Sequence, residues 1–334
     1  MIRKLQVALL FCCVVGAVNA NTAELNVAIE NLRSACVGIS DELNRMKTMA
    51  GINTAVTAVG TVAAGGGLGA GIAKSGVDSE AEKLASEIAD DLEELRMAAV
   101  GQDSSKFEYI DVTAPDVTDF WEVQDDAQDA QDAQVVTNAD IEAKKAELER
   151  LNKKSVVLGN VRTGTLAAAT ATNVAGAAIA GTNRIDGDLK VWVDSCLGAV
   201  KELSNALGQA RVSLGSINPD VQRAENIYRA CEEWSMVDVT SINKKSTGAT
   251  VSSGIGAGLG LAGTITSAVA NSGGVRANDT DAGKAKEKNL NTAANVLAGG
   301  TTVASGVALV FNATQIKTLK RASEISDKCQ EALQ

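Results

Sequence analysis

Three short segments have the residue types of known chemical motifs, but each lacks the context that its chemistry requires. Ser241 and Lys244 have the SxxK spacing of a Ser–Lys nucleophile, yet the partner motifs of that chemistry are absent. Residues 258–263 fit the GxGxxG dinucleotide pattern, which must follow a β-strand, and the residues before them are small and polar. Lys74 follows Ala73, where a phosphate-binding loop needs glycine. We therefore predict no catalytic residue and no cofactor-binding residue.

Composition and charge exclude further classes of function. The chain of 334 residues contains no histidine, which is the commonest general base and a frequent zinc ligand. Asp126, Asp129 and Asp132 could line one helical face, but they lack the loop glycine of a calcium site, so we predict no metal ligand. Loss of Arg3 and Lys4 with a signal peptide would change the formal charge from −10 to −12. This negative charge disfavours nucleic acid and anionic lipid headgroups as primary partners.

The first residues have the three parts of a secretory signal peptide. Arg3 and Lys4 form a basic region, residues 5–15 are apolar, and the small residues 18–20 precede a cleavage site before Asn21. The alternative is an uncleaved anchor helix, but the apolar region is shorter than the ~20 residues that span a bilayer. We therefore predict a signal peptide over residues 1–20 and export to the periplasm, the cell envelope or the medium.

Four runs of the chain contain no charged residue and are rich in glycine, alanine, serine and threonine. They cover residues 48–73, 163–183, 246–275 and 289–316. Each run adjoins a segment whose apolar residues alternate spacings of four and three, which is the heptad pattern of packed helices. Residues 51–76 align without gaps on residues 248–273, although few positions are identical. The composition and order of the segments indicate an internal duplication.

These patterns predict an all-α fold. We expect two duplicated antiparallel helical hairpins that form an elongated bundle, the first over residues 21–214 and the second over residues 215–334. The first hairpin would carry an inserted coiled-coil stalk, in which an acidic helical arm faces a more basic one. The stalk would end in an acidic tip over residues 101–137.

The acidic tip contains aromatic patches at residues 107–109 and 120–121 and a repetitive segment at residues 124–134. Scattered apolar residues in loops normally form small local clusters, and this is the favoured interpretation of the patches. The alternative is a motif that binds a protein partner.

Four cysteines remain after cleavage, and an even number outside the cytosol indicates two disulfides. Cys36 precedes the run 48–73 by nearly the same length of chain by which Cys196 follows the run 163–183. Cys231, before the run 246–275, and Cys329, after the run 289–316, are placed in a similar way. In an antiparallel hairpin, the two cysteines of each pair therefore lie at nearly the same position along the hairpin axis. The spacing therefore predicts the bridges Cys36–Cys196 and Cys231–Cys329.

The glycine content of the runs needs a special environment. Glycine costs about 1 kcal/mol relative to alanine inside a helix, and residues 48–73 contain seven glycines. One suitable environment is close helix packing, for which we predict Gly65, Gly69, Gly256 and Gly260 as contact positions. The other is a bilayer, which about 20 residues span. The many threonine, serine and asparagine side chains of the runs argue against contact with lipid.

In composition and small-xxx-small spacing, the four runs resemble the glycine-zipper helical hairpins of bacterial envelope and pore-forming proteins. The resemblance covers the runs alone. It implies helices that pack through small residues, and it assigns no functional residue.

These observations favour a non-enzymatic exported envelope protein. Its helical hairpins would associate with a membrane, insert into it, or associate with one another through their small residues. The alternative is a soluble secreted helical scaffold or binding module, in which the runs are buried against each other. Extraction with carbonate separates the two hypotheses, because a soluble scaffold is released from membranes and an inserted protein is retained.

Overall fold

The computed structural model describes residues 22–102, 137–276 and 280–334. Within these residues the protein is helical and contains no β-strand, which confirms the all-α prediction. The α-helices are α1 (residues 22–36), α2 (Ile39–Gln102), α3 (Asn138–Thr182), α4 (Gly187–Leu214), α5 (Pro219–Cys231), α6 (Val239–Ala270), α7 (Gly273–Arg276) and α8 (Asp281–Ala332). A 3-10 helix over Glu232–Met236 connects α5 to the segment before α6.

Two predictions concern residues outside the described part of the chain. They are the signal peptide over residues 1–20, with its cleavage before Asn21, and most of the acidic tip over residues 101–137. Both stay predictions.

The described residues divide into two compact units. The first comprises residues 22–68, Gly164–Thr266 and Ala293–Gln334, and the second lies within Gly69–Thr163 and Ser267–Thr292. Helices α2, α3, α6 and α8 contribute residues to both units. The predicted domain boundary at residues 214–215 follows a different division, between α4 and α5. That boundary and the duplication of the hairpins stay predictions.

A large apolar core lies in the first unit and is built from the heptad segments next to the uncharged runs. The buried members from α1 and the start of α2 are Leu25, Ile29, Leu32, Cys36, Ile39, Leu43 and Met46. Those from the other helices include Leu189, Val193, Cys196, Val200, Leu203, Ile227, Cys231, Trp234, Leu319, Ile325, Cys329 and Leu333. The first segment is not one continuous helix, because residues 37–38 form a turn. Gly38 adopts φ +82° there, a left-handed conformation that glycine tolerates.

Both disulfides lie in this core. Cys36 and Cys196 are joined with a Cα–Cα distance of 4.9 Å, and Cys231 and Cys329 with one of 4.5 Å. All four cysteines are buried among the apolar side chains of the first unit. The structure thus joins the two pairs that the sequence spacing selects.

Helices α2 and α3 pack antiparallel in the first unit. Gly60 of α2 faces Thr172 of α3. Gly67, which comes later in α2, faces Leu166, which comes earlier in α3. Helices α6 and α8 are related in the same way, through Gly248 with Phe311, Gly263 with Leu297, and Gly300 with Leu259.

The same helices also contact neighbours from the other predicted hairpin. The Ser246 hydroxyl of α6 donates to the Ala180 carbonyl of α3 at 2.6 Å. The Asn53 side chain of α2 donates to Asn312 Oδ1 of α8 at 2.8 Å. Each of the four helices therefore has two antiparallel neighbours, and the first unit contains a four-helix bundle.

In the second unit, α2 and α3 pack through a short apolar seam of Val77, Ala81 and Leu151. Lys144 Nζ of α3 lies 2.6 Å from Asp91 Oδ2 of α2. The hydrogen bond that Lys144 Nζ donates to the Asp91 carboxylate raises the pKa of Lys144 above its ordinary value. An apolar seam and an ion pair between an acidic and a more basic arm are the features expected of the predicted stalk.

Candidate functional site

The heptad seam of α2 continues without a break through the glycine-rich run. Steps of four and three residues from Met46 lead to buried positions at Ala50, Asn53, Thr57, Gly60, Ala64 and Gly67. Gly65 and Gly69 fall between these steps, and a Cβ atom at either would meet nothing within 4 Å. Neither position therefore lies close to another helix within the described residues, and the role of these two glycines as contact positions stays a prediction. A spacing of four residues alone does not identify the inner face of a helix that packs with a 3.5-residue period.

Gly256 and Gly260 of α6 do lie on the inner face. A Cβ atom at Gly256 would lie 2.9 Å from Asn173 Nδ2, and one at Gly260 would lie 2.6 Å from Thr170 Oγ1. Both distances are too short for ordinary contact. These two predicted glycines are the positions where α6 approaches α3 closely.

Glycine occupies the seam where a neighbouring helix inserts a larger side chain. Leu166 is the clearest case, because a Cβ atom at Gly67 would lie 3.2 Å from its Cγ and one at Gly263 would lie 3.3 Å from its Cδ1. Asn173 is accommodated by Gly256 in the same way. Where Leu166 and Asn173 point toward their neighbours, the helices are so close that one large side chain requires glycine at the facing positions.

The contact at Gly260 leads to a prediction with a matched control. Gly260→Leu should destabilise the bundle by about 1–3 kcal/mol, as overpacking of a close contact does. Gly258→Leu should be tolerated, because a Cβ atom there would meet nothing within 4 Å. Thermal unfolding of the two variants measures the difference. Equal unfolding temperatures for Gly260→Leu and Gly258→Leu would contradict the observed helix packing.

The interior of the bundle in the first unit is polar. Asn53 donates to Asn312, and Asn312 Nδ2 donates in turn to Thr57 Oγ1 at 3.1 Å. Asn173 Nδ2 donates to Ser305 Oγ at 2.9 Å. These side chains are at most 1% exposed. With further buried members they form the polar interior, which comprises Asn53, Thr57, Asn173, Ser246, Ser253, Thr301, Ser305, Asn312 and Gln315.

The outer surface of the same bundle is apolar. Val62, Val296 and Val303 are 76%, 70% and 69% exposed. Together with other exposed residues of the uncharged runs they form the apolar belt of the first unit. The belt comprises Ile52, Val59, Val62, Val174, Val251, Ile255, Leu261, Ile265, Val296, Val303, Val307 and Val310. A monomeric soluble protein rarely exposes so many apolar side chains in segments without charge, so this surface is the candidate functional site.

The threonine hydroxyls of the runs are bonded within their own helices. Eleven of them donate to the carbonyl four residues earlier, at 2.7–3.0 Å. The residues are Thr54, Thr57, Thr61, Thr170, Thr172, Thr250, Thr264, Thr266, Thr301, Thr302 and Thr314. A hydroxyl bonded in this way needs no water. Their abundance is therefore a weaker argument against lipid contact than composition alone suggests.

Basic residues bound every uncharged run. The residues next to the run ends are Lys47, Lys74, Arg162, Arg184, Lys245, Arg276, Lys288 and Lys317. Long basic side chains at the ends of an apolar segment can reach lipid headgroups while their alkyl portions remain in apolar surroundings. Of these eight residues, Lys47, Arg184, Lys245, Lys288 and Lys317 are at least partly exposed.

Two of these basic side chains are buried in the second unit. Lys74 is 0% exposed, and its Nζ lies 2.5 Å from Asp78 Oδ2 and 3.4 Å from Glu287 Oε1. Arg162, also 0% exposed, donates through Nη2 to Asn291 Oδ1 at 2.8 Å. Buried charges require such partners. Lys74 thus belongs to an ion pair inside α2 and not to a phosphate-binding loop.

The other two motif segments also lie in helices. Ser241 is in the first turn of α6, where its backbone N–H donates to Asp238 Oδ1 at 2.9 Å. Residues 258–263 lie in the interior of α6, which no described strand precedes. Within the described ranges, no group of three or more His, Cys, Asp or Glu residues is arranged to hold a metal ion. The expected absence of catalytic, cofactor and metal sites stays a prediction.

Helix length and hydropathy identify possible membrane spans. Thr22–Met97, Pro219–Ala270 and Asp281–Ala332 are long and apolar enough to cross a membrane. Helix α3 is not among the candidate spans found in the described residues. Comparison with models of protein families, with curated proteins and with solved structures found no match to the chain.

Proposed function

We propose that the protein is a non-enzymatic exported envelope protein whose four-helix bundle in the first unit inserts into a membrane. The apolar belt contacts the lipid chains, and the polar interior stays within the bundle. The stalk and the acidic tip remain available to a protein partner. One observation carries this proposal: the bundle of the first unit buries asparagine and serine and exposes valine and isoleucine.

The energy of the apolar belt supports insertion over exposure to water. Burial of a valine, leucine or isoleucine side chain contributes about 1.5–3 kcal/mol. The twelve belt residues are already partly buried, so each gains about half of this on entering lipid. The sum is comparable to the about 5–15 kcal/mol that stabilise a typical folded domain. Leaving this surface in water would forgo that stabilisation.

Backbone and side-chain polarity are compatible with the same environment. The runs are helical, so their peptide groups are bonded within the helix, as a bilayer demands. The threonine hydroxyls of the runs are satisfied internally, and the asparagine side chains Asn53, Asn173 and Asn312 are buried in the interior. Interhelical bonds between such polar side chains stabilise bundles in membranes.

Alkaline carbonate extraction of membranes from cells that express the full chain tests the proposal. The protein should remain in the pellet, as an integral membrane protein does, and detergent should be required to release it. Complete release by carbonate would contradict insertion. That result would favour the soluble helical scaffold. This second candidate is supported by the hydropathy of the described helices, since α3 is not among those that are long and apolar enough to span a membrane.

Export is tested separately, by the N-terminus of the mature protein. Mass spectrometry should find that the chain recovered from the envelope or the medium begins at Asn21, because the small residues 18–20 form the cleavage site. A protein recovered there with Met1 intact would contradict the signal peptide. Retention of the chain in the cytosol would contradict export itself.

A further inference from the structure

Four ends of the uncharged runs lie beside one another in the first unit, at residues 48, 183, 246 and 316. Asn183 Nδ2 donates to the Met46 carbonyl of α2 at 3.1 Å, and Gln315 Nε2 of α8 donates to the Asn183 carbonyl at 3.0 Å. Lys245 Nζ of α6 donates to Thr318 Oγ1 of α8. These hydrogen bonds join all four helices of the bundle where their runs meet charged sequence.

The chain next to these four ends is strongly basic. The four positions that adjoin each end contain seven basic residues and one acidic residue, Asp186. The basic residues are Arg45, Lys47, Arg184, Lys244, Lys245, Lys317 and Lys320. Since the four ends are neighbours in space, these cations surround one end of the apolar belt.

Five of the seven cations have no carboxylate partner among the described residues. Arg45 is ion-paired with Glu42 in α2, and Lys320 Nζ lies 3.8 Å from Glu324 Oε1 in α8. The remaining five form the basic ring, and each is at least partly exposed. The basic ring comprises Lys47, Arg184, Lys244, Lys245 and Lys317.

We propose that the basic ring binds the phosphate groups of anionic lipids. This inference rests on the proposed function, because it requires the apolar belt to lie in a bilayer. The belt residues Ile52 and Val251 come five and six residues after Lys47 and Lys245. At about 1.5 Å per residue, the ring lies about 8–9 Å from the start of the belt. When the belt is in the hydrocarbon, the ring is therefore in the headgroup layer.

The basic ring acts locally, although the chain as a whole is negatively charged. Salt screens exposed charges beyond about 8 Å at physiological ionic strength, so a membrane surface interacts mainly with the charges next to it. Each lysine or arginine near an anionic membrane strengthens binding about fivefold. The net charge of the whole chain therefore does not decide the lipid preference of this end of the bundle.

Flotation with vesicles of two compositions tests the ring on the purified full chain. One set contains phosphatidylcholine alone, and the other contains equal parts of phosphatidylcholine and anionic phosphatidylglycerol. The wild type should float with both sets and partition more strongly into the anionic one. The triple variant Lys47→Gln, Lys245→Gln, Lys317→Gln should still float with both. Its preference for the anionic vesicles should be about a hundredfold weaker, because three cations are removed.

Two further variants separate the charge of the ring from other effects. Arginine at the same three positions keeps the charge, so this variant should keep the preference. The matched control is Lys201→Gln, Arg223→Gln, Lys328→Gln, which removes three exposed cations further from the runs, in α4, α5 and α8. This control should also keep the preference.

The outcomes distinguish the ring from membrane insertion. A wild type that floats equally with both vesicle sets would overturn the basic ring but agree with insertion, whereas a wild type that floats with neither set would contradict both. An equal loss of preference in the ring variant and in the matched control would also overturn the ring. If the ring variant does not fold, the wild type decides in high sodium chloride. A preference that salt does not weaken would refute binding by charge.

Discussion

Val303→Lys should lower the partitioning of the protein into lipid vesicles about a hundredfold. Val303 is 69% exposed in the apolar belt, and no charged residue occurs in its run, residues 289–316. A lysine at the centre of a membrane helix costs about 2.5–3.5 kcal/mol, and each 1.4 kcal/mol corresponds to a factor of ten. Flotation of the purified full chain with liposomes measures the bound fraction.

Val212→Lys is the control for this experiment. Val212 is 90% exposed, but it lies on α4, next to Arg211 and outside the uncharged runs. The same substitution there should leave flotation unchanged. If both variants float as the wild type does, the apolar belt does not contact lipid. If Val303→Lys only improves solubility in buffer, the soluble scaffold is the better description.

Joint replacement of Cys36 and Cys196 by alanine should lower the free energy of unfolding by about 2–5 kcal/mol. The bridge closes a loop with a sequence separation of 160, and the bridge Cys231–Cys329 closes one of 98. In the chain-entropy account this difference in loop length is worth roughly 0.4 kcal/mol, so both bridges should have similar effects. Denaturant unfolding under oxidising conditions measures each loss.

A reducing agent supplies the control for the disulfide variants. Reduced wild type should be about as stable as a variant in which all four cysteines are alanine, because the lost constraint is the same. Peptide mapping without reduction should recover Cys36 linked to Cys196 and Cys231 linked to Cys329. A peptide that links Cys36 to Cys231, or unchanged stability after reduction, would contradict the structure.

The apolar core and the disulfide pairing could be predicted because their signals are local and strong. Leucine, isoleucine and cysteine at alternating spacings of four and three mark one helical face, and every residue of the first seam is buried. The cysteines lie at matched distances from the uncharged runs, which is enough to select one pairing among three.

The contact face of the glycine-rich runs was harder to predict, since small residues occur on every side of these helices. A signal existed: the register of the apolar seam before the run, extended from Met46, passes through Gly60 and Gly67 and misses Gly65 and Gly69. A spacing of four residues alone ignores this register, and it selects Gly65 and Gly69, where a Cβ atom would meet nothing within 4 Å. The polar interior follows the same register through Asn53. The mean composition of a run does not show which face of the helix carries these polar residues.

The close contacts around Gly176 depend on three helices that are distant in sequence. Asn53, Gly176 and Ser253 become neighbours only when the relative heights of α2, α3 and α6 are known. Neither spacing nor composition contains those heights.

Among the cysteines of the described residues, the bridges connect the first to the second and the third to the fourth. A chain that crosses a membrane from its N-terminus presents Cys36 first, and Cys196 is the next thiol to emerge. Cys231 and Cys329 emerge only after both Cys36 and Cys196 have crossed. An oxidase that joins thiols in their order of appearance therefore produces the native connectivity directly. Maturation of this protein should require a thiol oxidant in its compartment but no isomerase to correct mispaired bridges.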